Sequence, residues 1–171
     1  MNIFILDTDP KLAAQYHLDK HAVKMPLEAT QLLCTALHLT GQTAPYKPCY
    51  QNHPCSLWVR EGLENFNWLR EHGLALCAEY TFRYDRTHAC FDVINNLQIP
   101  VNLPRIPLTP FAQVVPDDCK GPDVVQAYRK YYEKKKDFAV WTRREPPEWF
   151  PKELILPRPD TIVRKVKRRF K

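Results

Sequence analysis

The sequence predicts a mainly α-helical protein: one compact, single-domain helical bundle with a short N-terminal strand and a proline-rich strap. Glycine is scarce, with 4 residues, whereas the helix-favouring residues leucine, alanine, glutamate and lysine are frequent. The 16 prolines are spread along the chain and mark where helices should begin or end. Apolar residues make up 44% of the 171 residues, which is enough to build one hydrophobic core.

The first part of the chain is expected to form a strand and two helices. An apolar run that ends in an acidic residue is typical of a short strand. Pro10 suits the first position of a helix, and Pro26 should end or kink that helix because proline has no N–H to donate. Gly41 marks the end of the next helix. The predicted boundaries are residues 2–7 for the strand and residues 10–24 and 26–40 for the helices.

The middle and late parts of the chain alternate between helices and proline-rich connections. Pro54 can open a long helix whose apolar residues recur at helical spacing. Six prolines between residues 98 and 122 argue against a regular helix there and predict a stiff strap laid over the bundle. The predicted segments are a loop over residues 41–53, helices over 54–82, 86–97 and 122–140, and the strap over 98–122.

The net charge of +6 is concentrated at the C-terminal end. Residues 158–171 carry seven basic side chains and one acidic side chain, whereas residues 1–157 carry 18 of each kind. We therefore divide the chain into a helical catalytic or binding domain, residues 1–157, and a basic tail, residues 158–171. Such a tail suits contacts with the phosphates of a nucleic acid, and it suits a solvated, solubilising end equally well.

Other features of the sequence argue against several classes of protein. No apolar run of about 18 residues occurs, so no membrane-spanning helix is expected. The N-terminus lacks the basic start of an export signal, and the six cysteines form no CxxC pair. We therefore expect reduced thiols in a cytoplasmic protein, with disulfides in an exported protein as the alternative. The motifs GxGxxG, GxSxG, HExxH and the Walker loop are absent, which argues against nucleotide-driven motors, dinucleotide oxidoreductases and ordinary serine hydrolases.

Four polar residues, His17, His21, Lys24 and Glu28, recur at the spacing of one helical face. Two imidazoles, an amine and a carboxylate on one face indicate acid–base chemistry or phosphate contacts, so we predict these four as the catalytic residues. His17 and His21 could instead bind a metal together with a nearby aspartate, but the HLDKH string lacks the glutamate of zinc hydrolases. The face could also be merely solvated. We predict neither a metal nor a cofactor.

A second candidate group lies around the start of the predicted long helix. Asn52 and His53 stand where free backbone N–H groups and the helix dipole suit a phosphate. Arg60 could hold a phosphate with two hydrogen bonds. Trp58 and Trp68 could stack on bases, and the alternative is a capped helix with tryptophans in the core.

Three further basic residues are candidates for contact with nucleic acid. Arg83, near the predicted end of the long helix, could reach a phosphate or could pair with Glu79 four residues earlier. Arg129 and Lys130 lie in a late segment that interleaves basic and aromatic residues, a pattern that suits nucleic acid. The tyrosines of that segment share a helical face, so packing in the core explains some of them.

The string LAAQYHLDKHAVKMP, residues 12–26, is similar to the first helix of the bacteriophage pyrimidine-dimer DNA glycosylases of the endonuclease V type. The string LALCAEY in the long helix and the pair Tyr131 and Tyr132 follow in a similar order. The sequence also resembles uncharacterised phage proteins with an HxxDKHxxKM-type first helix. The first resemblance implies a compact helical fold, action on DNA and a DNA-contacting role for Gln15.

The resemblance to the glycosylases also implies a mechanism. Those enzymes use as nucleophile the N-terminal amine that is exposed when methionine is removed from a small second residue, and a glutamate on the first helix assists. This chain departs from the pattern at both points, since Asn2 is large and Val23 and Lys24 stand near the expected glutamate. Lys24 could itself form a Schiff base if it were desolvated.

Together these features predict an enzyme that acts on nucleic acid, with DNA as the favoured partner: a base-processing, DNA glycosylase-like hydrolase of phage type. The catalytic face would meet Asn52, His53 and Arg60 across a cleft. The alternatives are a non-catalytic nucleic-acid-binding protein and a metal-dependent hydrolase or base-modifying transferase that acts on nucleotides. The predicted nucleic-acid contacts are Gln15, Asn52, His53, Arg60, Arg83, Arg129 and Lys130.

Overall fold

The computed structural model describes residues 1–157, and that part of the chain is helical with irregular connections. The predicted mainly α-helical fold is confirmed, while the basic tail, residues 158–171, lies outside the described residues. Short 3-10 helices cover Asp117–Cys119, Lys136–Phe138 and Lys152–Leu154. The α-helices are α1 (Pro10–Gln15), α2 (Asp19–Leu39), α3 (Pro54–Glu61), α4 (Leu63–Tyr84), α5 (Cys90–Asn95) and α6 (Val124–Glu133).

The predicted N-terminal strand is wrong, because residues 2–7 form no strand pairing within the part of the chain that the structure describes. The segment is irregular, with the Leu6 amide donating to the Phe4 carbonyl over 3.0 Å, and the four consecutive side chains Ile3 to Leu6 are all buried in the bundle. Other backbone groups of the segment bind side chains instead of a second strand. The guanidinium of Arg129, for example, donates from Nε to the Leu6 carbonyl over 3.0 Å.

The predicted helix over residues 10–24 is interrupted, since α1 ends at Gln15 and α2 begins at Asp19. Hydrogen bonds with residues far away in the sequence stabilise this interruption. The indole of Trp141 donates to the Tyr16 carbonyl over 3.0 Å, and the Asp19 amide donates to the Val140 carbonyl over 2.8 Å. A segment more than 120 residues away thus takes up backbone groups that a continuous helix would have paired internally.

Pro26 neither ends α2 nor starts a new helix, so the predicted boundary at this residue is wrong. The helix continues through it to Leu39, and packing explains why. Met25, Ala29 and Leu32 are buried in the core, where α2 packs against α4. Burial of this apolar face outweighs the one backbone hydrogen bond that proline cannot make.

The predicted long helix over residues 54–82 is divided into α3 and α4 at Gly62. The strap passes so close to this residue that a Cβ atom on it would lie 2.7 Å from Cγ1 of Ile106. The Leu63 amide donates to the Pro104 carbonyl over 2.8 Å, which fixes the contact. The glycine therefore ends α3 and lets the strap lie against the start of α4.

The strap, residues 98–122, contains no α-helix, in agreement with its proline content. Thr109 anchors it to α4 through Asn65, whose Oδ1 accepts from the Thr109 amide over 3.1 Å and whose Nδ2 donates to the Thr109 hydroxyl over 2.6 Å. The helices predicted on either side, over 86–97 and 122–140, are shorter than expected, as α5 and α6 show. Within residues 1–157, no helix has the length and apolar character needed to cross a membrane.

Candidate active site

The buried carboxylate of Glu28 on α2 lies next to the backbone nitrogen of residue 2. The backbone nitrogen of Asn2 donates to Oε2 of Glu28 over 2.8 Å. Nζ of Lys24, one turn earlier, lies 2.8 Å from the other carboxylate oxygen, Oε1. The Glu28 side chain is 10% exposed and the Lys24 side chain is 66% exposed. Glu28 is thus fixed through both oxygens, one facing the chain terminus and one facing a cation at the surface.

The N-terminus of α3 lies near the same residues, Asn2 and Glu28. His53 caps the helix by accepting from the Cys55 amide on Nδ1 over 3.2 Å. Burial lowers the pKa of His53, and the positive N-terminus lowers it further, while Glu28 opposes the shift. Burial raises the pKa of the Cys55 thiol to about 12, so it stays protonated and donates weakly to Oδ1 of Asn2 over 3.8 Å. Cys55 is therefore a neutral neighbour rather than a nucleophile.

The prediction that four polar residues share one helical face is wrong for His17, because this residue lies in the break between α1 and α2. Its side chain is fully buried, with Nδ1 2.7 Å from the Ala13 carbonyl and Nε2 without a hydrogen-bond partner. His21, Lys24 and Glu28 do follow one another along α2. A side chain with no exposed surface, like that of His17, offers nothing for a DNA strand to contact in this structure.

His21 lies on α2 but is turned toward the aromatic core. Its ring stacks on Phe4 with centroids 4.3 Å apart, and its Nδ1 lies 2.7 Å from the Tyr132 hydroxyl. Burial, and then the charges of Lys135 and Lys24, lower the pKa of His21 to about 3. The ring is therefore neutral at physiological pH and forms part of a buried aromatic cluster.

Acidification is expected to destabilise the fold through its buried histidines. Burial lowers the pKa of His17 well below its ordinary value, that of His21 to about 3 and that of His72 to about 4. The unfolded chain takes up protons near pH 6.5 that these folded-state sites resist, so the stability present above pH 6.5 is lost as pH falls toward 4. Each histidine contributes at most about 1.4 kcal/mol per pH unit within this window.

Urea unfolding between pH 7.5 and 4.5 measures this dependence. A His72→Gln variant, which keeps a neutral donor for the Pro10 carbonyl that His72 contacts over 2.9 Å, should show a shallower loss of stability below pH 6.5. His38→Gln, at a partly exposed histidine on α2, is the control and should keep the slope of the unmodified chain. Equal slopes for the two variants would contradict the assignment of the dependence to buried imidazoles.

The second predicted group is only partly brought to this centre. His53 lies close enough to the chain terminus for the terminal charge to lower its pKa. Asn52, the preceding residue, is exposed. The guanidinium of Arg60 folds back and donates from Nη2 to the Gln51 carbonyl over 3.0 Å. Trp58 and Trp68 are buried and pack edge to face, with ring centroids 6.0 Å apart. The structure therefore supports the alternative that both tryptophans belong to the core.

Arg83 is committed to an internal ion network. Its side chain is 0% exposed; Nε contacts Glu79 over 2.8 Å and Nη1 contacts Asp19 over 2.9 Å. Nη2 donates to the Gln15 carbonyl over 3.1 Å, and Arg144 contacts the other oxygen of Glu79 over 2.7 Å. The predicted pairing of Arg83 with Glu79 is therefore present, and the guanidinium has no exposed surface to offer a phosphate.

The remaining predicted contacts, Gln15, Arg129 and Lys130, also lie apart from Glu28. Arg129 binds the N-terminal segment, with Nη2 3.4 Å from a carboxylate oxygen of Asp7, and Lys130 donates to the Asp118 carbonyl. Gln15 lines a cavity together with Arg129 on the side of α1. None of their hydrogen bonds or ion pairs involves residue 2, Lys24 or Glu28.

The sequence predicted Glu28 as a catalytic residue but did not connect Glu28 with residue 2, and the glutamate of the glycosylase pattern was expected near Val23 and Lys24. The side chain of Asn2 was taken only as a departure from the pattern of the glycosylases, yet it is bonded to Tyr128 on α6. No local pattern in the sequence could have indicated a contact over 126 positions.

Among residues 1–157, no group of three or more histidine, cysteine, aspartate or glutamate side chains could hold a metal ion. Neither the curated proteins nor the solved structures contain a significant match to this chain. The sequence model of one family, described as pyrimidine dimer DNA glycosylase, matches residues 1–92, a segment that includes Asn2, Lys24, Glu28 and His53. This match confirms the resemblance found in the first helix. Because it spans more than half of the 171 residues, the chain belongs to the pyrimidine dimer DNA glycosylase family and is a nucleic-acid-acting enzyme of the DNA glycosylase type.

Proposed function

We propose that this protein excises a damaged pyrimidine from DNA, with Glu28 as the catalytic carboxylate and the nitrogen of residue 2 as the nucleophile once Met1 has been removed. The observation that carries the proposal is the 2.8 Å hydrogen bond from the Asn2 nitrogen to Oε2 of Glu28. In the chain that retains Met1 this nitrogen is an amide, so the proposal requires removal of Met1 although Asn2 is larger than the second residue of the family's pattern. As a free amine in the same position it would have a carboxylate within reach to accept its proton.

The reaction balances with these two groups. The amine attacks C1′ of one nucleotide of the dimer as the bond between C1′ and its base breaks; the base nitrogen keeps the electron pair and takes up a proton, and the base stays joined to its dimer partner. The amine transfers its proton to Glu28, which passes it to O4′ as the C1′–O4′ bond breaks, and the resulting imine is reduced by borohydride. An α-amine has an ordinary pKa of roughly 8 and a lysine one of roughly 10, so the terminus is the better nucleophile at neutral pH.

Exposed polar residues around Glu28 supply contacts for the DNA. Lys24 is largely exposed, and the N-terminus of α3 presents Asn52 and His53 next to the same centre. The Lys24 cation and the polar side chains of Asn52 and His53 would hold the phosphates that flank the damaged nucleotide. In this arrangement Lys24 acts as a phosphate contact and as a counter-charge to Glu28, not as the nucleophile.

Borohydride trapping on a duplex with a single pyrimidine dimer tests the proposal. Two forms of the full chain are compared, one beginning at Met1 and one beginning at Asn2, each verified by mass spectrometry. We expect cleavage of a glycosidic bond of the dimer, detected as an alkali-labile site, and a covalent adduct from the Asn2 form, mapped to residue 2, and little or no adduct from the Met1 form. The difference follows from the chemistry, since only the Asn2 form carries an amine at the nitrogen that faces Glu28.

Other outcomes would contradict specific parts of the proposal. An adduct on Lys24 in both forms would assign the nucleophile to the lysine. Glycosidic cleavage without an adduct would make water the nucleophile. Binding of the damaged duplex without any glycosidic cleavage would favour the alternative of a non-catalytic DNA-binding protein.

A further inference from the structure

The side chain of Asn2 is tied to three different parts of the protein. Its Oδ1 accepts from the Tyr128 hydroxyl over 2.9 Å and from the Ile3 amide over 2.8 Å. Its Nδ2 donates to the Val114 carbonyl in the strap over 2.8 Å. Donor and acceptor ends of the carboxamide are thus both engaged, which fixes its plane as well as its position.

Tyr128 links these contacts to one another. It is fully buried on α6, and its hydroxyl accepts from the Val114 amide over 3.1 Å and lies 3.0 Å from the Ala112 carbonyl. Burial raises the pKa of Tyr128 far above its ordinary value, so the hydroxyl keeps its proton at any pH suited to the enzyme. The strap and α6 therefore form a fixed receptor for the residue 2 side chain.

Such a receptor matters most when residue 2 is the first residue of the chain. A terminal residue frays unless other groups hold it, because it is attached to the fold by one peptide bond only. Removal of Met1 would take away the preceding peptide bond, and the carboxamide contacts would then be the main restraint on the direction of the amine. Small side chains such as alanine or serine could not reach both Tyr128 and Val114.

We propose that Asn2 and Tyr128 are positioning residues, which clamp the carboxamide of residue 2 and thereby hold its amine against Glu28. The inference rests on the proposed function and adds to it a reason for an asparagine at this position. An amine that is held in place reacts without the loss of orientational freedom that a mobile terminus would incur. The clamp lies behind the nucleophile and does not touch the DNA.

The test is Tyr128→Phe in the form of the full chain that begins at Asn2. We expect the single-turnover rate of adduct formation to fall about 10- to 100-fold, because the amine loses its orientation. The Kd for the damaged duplex should stay within about twofold, since neither Asn2 nor Tyr128 is proposed to contact DNA. Thermal unfolding of the same preparation verifies that the variant is folded at the assay temperature.

The pH profile separates positioning from a structural effect. A carboxylate raises the pKa of an amine that it contacts, so an amine that drifts away from Glu28 has a lower pKa, and the rising limb of the rate shifts to lower pH. A variant that only lost folded protein would keep the midpoint of that limb. The titratable groups that surround residue 2 are Lys24 and Glu28 on α2, His53 and Cys55 on α3, His72 on α4 and Tyr128 on α6.

Two further variants make the result decisive. Tyr131→Phe, the same change three residues later on α6, removes a hydroxyl that binds Lys135 and should leave rate and pH profile unaltered. Asn2→Ala, which leaves the bond between Tyr128 and Val114 intact, should reproduce both the slower rate and the shifted profile. Unchanged rate and profile in Asn2→Ala would overturn the positioning role. Absence of a residue 2 adduct in the unmodified enzyme would instead overturn the proposed function, on which the role depends.

Discussion

Glutamine in place of Glu28 is expected to slow glycosidic cleavage by about 10²- to 10⁴-fold at saturating DNA, the usual effect of removing a general base. Glutamine has nearly the same shape, and its carbonyl can still accept the hydrogen bond that now joins Glu28 to the nitrogen of Asn2 over 2.8 Å. It cannot take up a proton from an amine. Single-turnover glycosidic cleavage of a dimer-containing duplex, followed as alkali-labile sites, measures the effect on the chemical step.

Glu64→Gln is the matched control for this substitution. Glu64 is exposed in the first turn of α4, so removing its charge should leave the rate of glycosidic cleavage unchanged. Glu28→Gln should also retain binding to the damaged duplex, because Lys24 is freed from its ion pair and stays available for a phosphate. A Glu28→Gln enzyme that cleaved the glycosidic bond within about fivefold of the normal rate would show that this carboxylate takes no part in the proton transfer.

The helical class could be predicted from composition, but two boundaries could not, because distant groups decide them. Proline ends helices in general, yet α2 continues through Pro26 because its apolar face is buried against α4. The break before Asp19 depends on hydrogen bonds to Trp141 and Val140, which no local pattern reveals. An apolar run such as residues 2–7 likewise does not distinguish a strand from a buried irregular segment.

Helical spacing brought Lys24 and Glu28 together in the prediction, and the structure shows them as an ion pair. The same spacing wrongly placed His17 on this helical face, because the prediction assumed one continuous helix where a turn separates α1 from α2. Burial is a second property that the sequence does not reveal, because residue type alone does not show whether an imidazole such as that of His17 faces solvent. The contact of Asn2 with Glu28 and Tyr128 arises only once three elements pack.

Methionine in place of Arg83 is expected to lower the free energy of unfolding by about 3–5 kcal/mol, the usual effect of removing one partner from a buried ion network. The Asp19 and Glu79 side chains are 18% and 4% exposed, and both would lose a guanidinium that now lies within 3 Å. Arg144 would still neutralise Glu79 in part. For a chain of this size the midpoint of thermal unfolding should fall by roughly 10 °C.

Arg143→Met is the control for Arg83→Met, since Arg143 is exposed and pairs with Asp85 at the surface, where an ion pair adds little stability.

Measurement of DNA affinity distinguishes the two roles that the sequence left open for Arg83, a phosphate contact and an ion pair with Glu79. A phosphate contact would make binding weaker and would reduce the slope of log K against log salt by about 1 when it is lost. Because this guanidinium is fully buried among Asp19, Glu79 and the Gln15 carbonyl, we expect both affinity and slope to stay unchanged below the unfolding transition. A reduced slope in a fully folded Arg83→Met protein would show that the ion network opens when DNA binds.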